Sequence, residues 1–245
     1  MKAVILAAGT ATRLRPLTDS VPKCLLPVKG KSILSRTLDN IIPHHLEQII
    51  IVTGYRSQQI REFVLSAYPA INVKFIHNDL YNSTNNIYSL WLTKKHVLGS
   101  SLLLLDSDII FDKPIITSIL TYGHENCLAL KIHAVQDEEI KVKADKNGKV
   151  LEIGKKVKID DSIGESIGIE KFGTRFVTNL FQTLDFEILI AKNVNAFYES
   201  AFQTLINSGE DIFTLDVTQY NCFEIDTISD YETVNDLNLE STGDD

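Results

Sequence analysis

Short β-branched runs alternate with amphipathic stretches through the first half of the chain, and this alternation restricts the fold more than any other feature. Residues 3–7, 48–53, 73–77, 101–105 and 127–132 have the character of strands. Between them, residues 32–42, 57–68, 86–97 and 113–122 have the character of helices. In the second of these helices Ile60, Phe63, Val64 and Ala67 recur at helical spacing, behind Ser57 as the expected cap. Such a chain is expected to be α/β, a mostly parallel doubly wound (Rossmann-like) sheet with helices on both faces. Ligands of these sheets sit at the carboxyl ends of the strands, so the loops after Ala7, His77 and Leu105 are the places to look for chemistry.

The second half has a more antiparallel pattern. Residues 140–143 and 150–153 flank Asp145-Lys-Asn-Gly148, a hairpin signal, and residues 165–172 form a further strand. Helical stretches follow near 174–184 and 195–208, then a last strand at 223–225. Ser229-Asp-Tyr-Glu232 reads as a capping box that opens the final helix. The expectation is an antiparallel C-terminal extension of one sheet. No repeat or composition break divides the 245 residues, so 1–239 read as a single domain and 240–245 as a short, acidic, disordered tail.

With 44% apolar residues the chain can bury a core without staples. Its net charge of −8 repels nucleic acid and anionic lipid, so neither is an expected partner; an anionic ligand would need a local cluster of cations. Cys24, Cys127 and Cys222 are odd in number and lack metal-ligand spacing, which fits reduced thiols in a cytoplasmic protein. The apolar run at 3–8 is too short for a signal peptide, and no stretch is long enough to span a bilayer. The six histidines show no zinc pattern and are read as structural or surface residues. Assembly is left open, with a homodimer as one option.

The first strand leads into Leu6-Ala-Ala-Gly-Thr-Ala-Thr-Arg-Leu-Arg-Pro-Leu-Thr18. Small side chains at Ala7, Ala8, Gly9, Thr10, Ala11 and Thr12 let the backbone approach a phosphate, and consecutive N–H groups can form an anion nest. Arg13 supplies a planar fork for phosphate oxygens, and Lys23 lies close enough in sequence to return as a point charge. The plain alternative is a strand-to-helix turn with solvated basic residues. No dinucleotide-type glycine pattern is present, and Gly30-Lys31-Ser32 fails as a Walker motif because Leu25 stands where the first glycine belongs. Two strand-end carboxylates, Asp108 in Leu105-Asp-Ser-Asp108 and Asp226 in Phe223-Glu-Ile-Asp226, offer the hard oxygens that Mg²⁺ prefers. Each alone could equally cap a helix, although Asp112 and Ser229 are better placed for that.

Together with Pro22-Lys23-Cys-Leu-Leu-Pro27, the loop resembles the L-A-A-G-x-G-x-R-L-x-P-L-T and P-K-x-x-x-P signature of the sugar-nucleotidyltransferase superfamily. It departs once, with Ala11 in place of the second glycine, which implies a slightly tighter loop. The resemblance implies a nucleotidyltransferase type A-like fold, Arg13, Lys23 and Asp108 as catalytic residues, and Mg²⁺ held by Asp108 and Asp226, with Asp106 in support. Residues 78–91, with Asn86-Ile-Tyr-Ser89, and 224–232 are similar to bacterial phosphocholine cytidylyltransferases, whereas 164–172 is closer to the 2-aminoethylphosphonate enzymes. CTP is therefore the implied donor, with Asn78, Asn86 and Ser89 facing the base; helix capping is an equal alternative for Asn86. The implied acceptor is a small zwitterionic phosphate or phosphonate, with 2-aminoethylphosphonate slightly preferred to phosphocholine. Lys155 (or its neighbour Lys156) would meet its phosphate, and Tyr198 and Glu199 its cationic head, with Tyr81, Tyr88, Trp91 and Phe172 as further aromatic candidates. A surface position is the default for Glu199. Two rival readings remain: transfer to a sugar 1-phosphate from dTTP, UTP or GTP, and a non-catalytic nucleotide-binding regulator.

Overall fold

The computed structural model describes residues 1–237. In chain order β1 (Lys2–Ala7) is followed by a small hairpin, β2 (Pro27–Val28) and β3 (Lys31–Ser32), and then by α1 (Ile33–Ile41). Next come β4 (Gln48–Thr53), α2 (Ser57–Ala67), β5 (Val73–His77), α3 (Asn86–Leu92), α4 (Lys94–Val97) and β6 (Leu102–Asp106). The middle holds β7 (Ile109–Phe111), α5 (Pro114–Thr121), β8 (Cys127–Lys131), β9 (Lys141–Ala144), β10 (Val150–Gly154) and β11 (Gly164–Phe172). α6 (Thr174–Asp185), α7 (Glu199–Asn207), β12 (Phe213–Asp216), β13 (Cys222–Glu224) and α8 (Ile228–Asp236) complete the fold. The tail at 240–245 and the expected domain end at 239 lie outside the described residues.

The fold is α/β, as the alternation implies. β5, β4, β1 and β6 run parallel and side by side, and β11 joins β6 antiparallel to extend the sheet through β9–β10 and β8–β12. Both faces of β1 are buried: Ala3, Ile5 and Ala7 point into one core cluster and Val4 and Leu6 into the other. That is why its sequence is a continuous apolar run and not an alternating one. A third, smaller cluster of Leu14, Leu26, Val28, Ile33, Ile110, Ile225 and Val234 ties the loop after β1 to β7 and α8.

β7 and β13 form a separate antiparallel ladder, with Ile109 opposite Glu224 and the Ile225 amide donating to the Asp108 carbonyl at 3.0 Å. This ladder brings together two segments more than a hundred residues apart. Its β7 strand is only three residues long and is not evident in the sequence pattern.

Several local expectations are corrected. The expected helix 86–97 breaks at Thr93, whose hydroxyl donates to the Leu90 carbonyl at 2.7 Å and so competes with the helical ladder. α2 is preceded not by a Ser57 cap but by Arg56 in the left-handed region, φ 51°. The capping box of α8 is built by Thr227 and Asp230, two residues before the expected Ser229 and Glu232. Asp112 caps nothing; its carboxylate accepts from the Asn221 backbone and amide N–H groups at 2.9 and 3.1 Å. In β11, Gly168 takes φ +71° where the register with β8 shifts, and a Cβ there would come within 2.6 Å of the Asp106 carboxylate. Only glycine allows that approach.

Candidate active site

The carboxyl ends of β1, β5 and β6 open into a cavity of about 800 Å³, large enough for a nucleotide and a small second substrate. Ala7, Ala8, Gly9, Ala11 and Arg13 line one wall. Thr10 and Thr12, expected on it, are not on the cavity wall; Thr12 instead opens the short turn Thr12–Leu14. Ala11 sits in the left-handed region, φ 48° and ψ 50°, so the departure from glycine costs backbone strain as well as space. Among the described residues, the N–H groups of Gly9, Thr10 and Ala11 donate to no protein acceptor, which leaves them available to an anion.

Lys23 lies at the start of the turn Lys23–Leu25 and reaches across to both strand-end aspartates. Its Nζ donates to Asp108 Oδ2 at 2.9 Å and to Asp226 Oδ1 at 2.5 Å, while Arg13 Nη2 pairs with the other Asp226 oxygen. Burial works against the charge on Lys23, but Asp108 and then Asp226 hold its ammonium well above the ordinary lysine range. Burial likewise opposes ionisation of Asp226, and Lys23 and Arg13 override it to keep that carboxyl below its usual value. Glu224, a residue the sequence reading passed over, completes a triad with Asp108 and Asp226 whose ligand oxygens lie within 4.8 Å of one another. Desolvation, then the like charges of Asp108 and Asp226, raise the Glu224 pKa. Three hard oxygens crowded in this way suit a divalent cation such as Mg²⁺. Without one, the Lys23 and Arg13 side chains neutralise the aspartates.

On the opposite wall the asparagines divide their work. Asn78 is spent on structure: its amide nitrogen donates to Thr84 and Ser89, both at 3.1 Å, and its oxygen accepts from the Leu80 N–H. Both Asn78 and Ser89 line the cavity; the Asn78 amide is engaged on both its nitrogen and its oxygen, whereas the Ser89 hydroxyl accepts from Asn78 and, among the described residues, donates to nothing. Asn85, not Asn86, caps α3. Asn86 accepts from the Tyr198 backbone N–H at 2.9 Å and lines the cavity with its amide nitrogen unpaired among the described residues.

The far end of the cavity differs most from expectation. Tyr198 is wholly buried and does not line the cavity; its hydroxyl donates to Asp106 at 3.1 Å and its ring packs on Phe202. Phe172 is also core, stacked on Phe176. Glu199, by contrast, is only 4% exposed rather than a surface residue, and it lines the cavity. Its Oε2 has no hydrogen-bond partner among the described residues, and burial pushes its pKa up to about 7. Half-buried Asp106 and fully buried Glu170 are both raised well above their ordinary values, Asp106 by burial and then by Asp108 and Glu170, Glu170 by burial and then by Glu199. Lys155 lines the same end, pairs with Glu138 at 3.1 Å and lies 4.8 Å over the Phe197 ring; Lys156 is not on the wall. His133 is also there, 3.1 Å from Glu165 and grouped with Glu139. No sequence spacing marks that group, because Glu165 comes from a different strand.

No described helix is long and apolar enough to cross a membrane. Residues 2–164 match the nucleotidyl transferase family model. The chain is 27% identical to the CTP:phosphoglutamine cytidylyltransferase of Campylobacter jejuni, covering 95% of this chain and 98% of that one. It is 26% identical to the choline-phosphate cytidylyltransferase of Streptococcus pneumoniae, covering 97% and 98%. The solved structure of the Streptococcus pneumoniae CTP:phosphocholine cytidylyltransferase superposes with a TM-score of 0.79 at 24% identity, over 96% of this chain and 97% of that one, and so shares its fold. With the anion-ready loop, the lysine and the paired aspartates in one cavity, the chain belongs to the nucleotidyl transferase family and is a nucleotidyltransferase.

Proposed function

We propose that this protein is a Mg²⁺-dependent cytidylyltransferase that moves CMP from CTP to a small acceptor carrying a phosphate or phosphonate at one end and a cation at the other. The observation that carries the reading is the meeting of Lys23 with Asp108 and Asp226 beneath the loop after β1. In this reading the Gly9–Ala11 amides and Arg13 hold the triphosphate, and the unpaired amide of Asn86 is the protein's donor to the base. Bound to Asp108, Asp226 and Glu224, Mg²⁺ would neutralise charge on the triphosphate. Lys23 would exchange its aspartates for the reacting phosphate. Lys155 would hold the acceptor's phosphate, whose oxygen attacks the α-phosphorus as the bond to pyrophosphate breaks. No protein nucleophile is needed, since positioning and charge stabilisation suffice. CTP as the donor is supported by the two cytidylyltransferases that align along nearly the whole chain.

The test is pyrophosphate release with CTP, UTP, GTP and dTTP, each crossed against phosphocholine, 2-aminoethylphosphonate and glucose 1-phosphate. CTP with a zwitterion should be fastest. Highest rates with glucose 1-phosphate and dTTP or UTP would make the protein a sugar nucleotidyltransferase. Binding of CTP without turnover of any pair would favour a regulator.

A further inference from the structure

Most acidic groups on the cavity wall already have a partner. Asp108 and Asp226 are held by Lys23, Glu138 by Lys155, Glu165 by His133, and Asp106 by the Tyr198 hydroxyl. Glu224, exposed, sits in the triad with the two aspartates. Glu199 is different: it is buried, it lines the cavity, and among the described residues one of its carboxylate oxygens has no hydrogen-bond partner. Behind it Glu170 also leaves a buried oxygen unpaired, so among the described residues this end of the cavity holds two buried carboxyl groups with unmet hydrogen-bonding capacity and no ion pair to either. Leaving such an acceptor unsatisfied is costly, and the cost is relieved by a ligand that both bears positive charge and donates hydrogen bonds.

The aromatic rings are arranged unfavourably for the other kind of cation. A quaternary ammonium has no N–H and is recognised by several aromatic faces around it. Of the three phenyl or phenol rings on the wall, Phe197 already carries the Lys155 ammonium at 4.8 Å and Phe223 carries that of Lys131 at 5.2 Å. The third, Tyr81, tilts against Tyr55 and His77 after β5. Tyr198, Phe172 and Phe202 are locked in the core. The Glu199 end therefore has an unmet hydrogen-bond acceptor and no free aromatic cage.

We infer that the acceptor's cationic group is an N–H-bearing ammonium, primary in the best substrates, seated on Glu199, and that this carboxylate selects against quaternary ammonium acceptors. The inference rests on the proposed transfer of CMP to a zwitterionic acceptor and narrows it to one chemical class.

A methylation series tests it: phosphoethanolamine, its N-methyl and N,N-dimethyl derivatives, and phosphocholine. Each is measured in two ways, as kcat/KM with CTP and as affinity by calorimetry in the presence of Mg²⁺ and a CTP analogue with a methylene between its α- and β-phosphorus atoms. Phosphoethanolamine should exceed phosphocholine by about ten-fold or more, with a stepwise fall along the series, because each methyl removes a donor to a charged acceptor. In Glu199→Gln that advantage should collapse to about two-fold or less. Equal or better use of phosphocholine by the unaltered protein overturns the inference, as does a preference that survives in the variant. The wild-type series decides the matter alone if Glu199→Gln does not fold. Failure of the underlying function has another signature: neither these four phosphates nor 2-aminoethylphosphonate yields pyrophosphate with CTP or binds, which overturns both readings together.

Discussion

Lys23 pairs with both strand-end aspartates, and in the proposed function it must give them up to the metal. The contact is mostly buried, with side-chain exposures of 13% for Lys23, 26% for Asp108 and 25% for Asp226, so solvent does little to weaken it. Lys23→Met should therefore act in two directions: turnover should fall by about 100-fold or more, and Mn²⁺ should bind more tightly than to the unaltered protein when no nucleotide is present. Paramagnetic titration with Mn²⁺ reads the second effect; unchanged or weaker binding in the variant would show that Lys23 does not guard the carboxylates. Asp108→Asn and Asp226→Asn should each lower turnover by at least about 100-fold at saturating Mg²⁺, since the metal's charge stabilisation is worth several kcal/mol. Near-normal rates in either variant would remove that residue from the metal site. These three residues were legible as candidates because each lies within a short string that carries its own chemistry. The burial of Glu199 and Tyr198 was not. Adjacent in sequence, both are buried, but the start of α7 at Glu199 turns that side chain to the cavity wall and leaves the Tyr198 ring in the core.

At the scale of elements, the loop after β1 was expected to be tighter than the family's, and its strain can be measured. Ala11 occupies a left-handed conformation at φ 48°, which costs an L-residue about 1–2 kcal/mol relative to glycine. Part of that cost is offset in the unfolded chain, where alanine is the less flexible residue. Ala11→Gly should thus leave the protein equally stable or raise the unfolding free energy by up to about 1 kcal/mol in urea titration; a clear loss would show that the loop does not need positive φ there. The parallel strands around β1 were readable to within a residue or two, since short apolar runs of five or six residues bounded by turn signals admit few alternatives. The β7–β13 ladder that brings Asp108 beside Asp226 was not: a last strand near 223–225 was expected, but β7, three residues long, leaves no periodicity to reveal its partner. The α8 cap shifted to Thr227 for a related reason. Thr227 and Asp230 satisfy the capping pattern as well as Ser229 and Glu232, and only the end of β13 at Glu224 decides where the helix starts.

For the whole molecule, the buried acids should set an unusual dependence of stability on pH. Asp106, Glu170 and Glu199 are all raised in the folded protein, Glu199 from 4.5 to about 7. A carboxyl raised on folding holds its proton more tightly in the native state than in the unfolded chain. Between its unfolded and folded values the native state binds more protons, and stability falls as pH rises. For Glu199 the window runs from 4.5 to about 7, and the shift corresponds to about 3 kcal/mol across it. Asp226 acts with the opposite sign: lowered on folding, it contributes stability above its usual value of 3.8 that is lost as pH falls through the folded one. The thermal midpoint of the ligand-free protein should thus be higher at pH 5 than at pH 8, by several degrees for a chain of this size, and should drop again in stronger acid. Glu199→Gln removes one of these raised acids without introducing a charge. At pH 8 its midpoint should exceed that of the unaltered protein, and the difference should shrink or reverse at pH 5. A wild-type midpoint that climbs from pH 5 to pH 8, or a variant that tracks it at both, would mean that Glu199 ionises on folding as an ordinary exposed glutamate does.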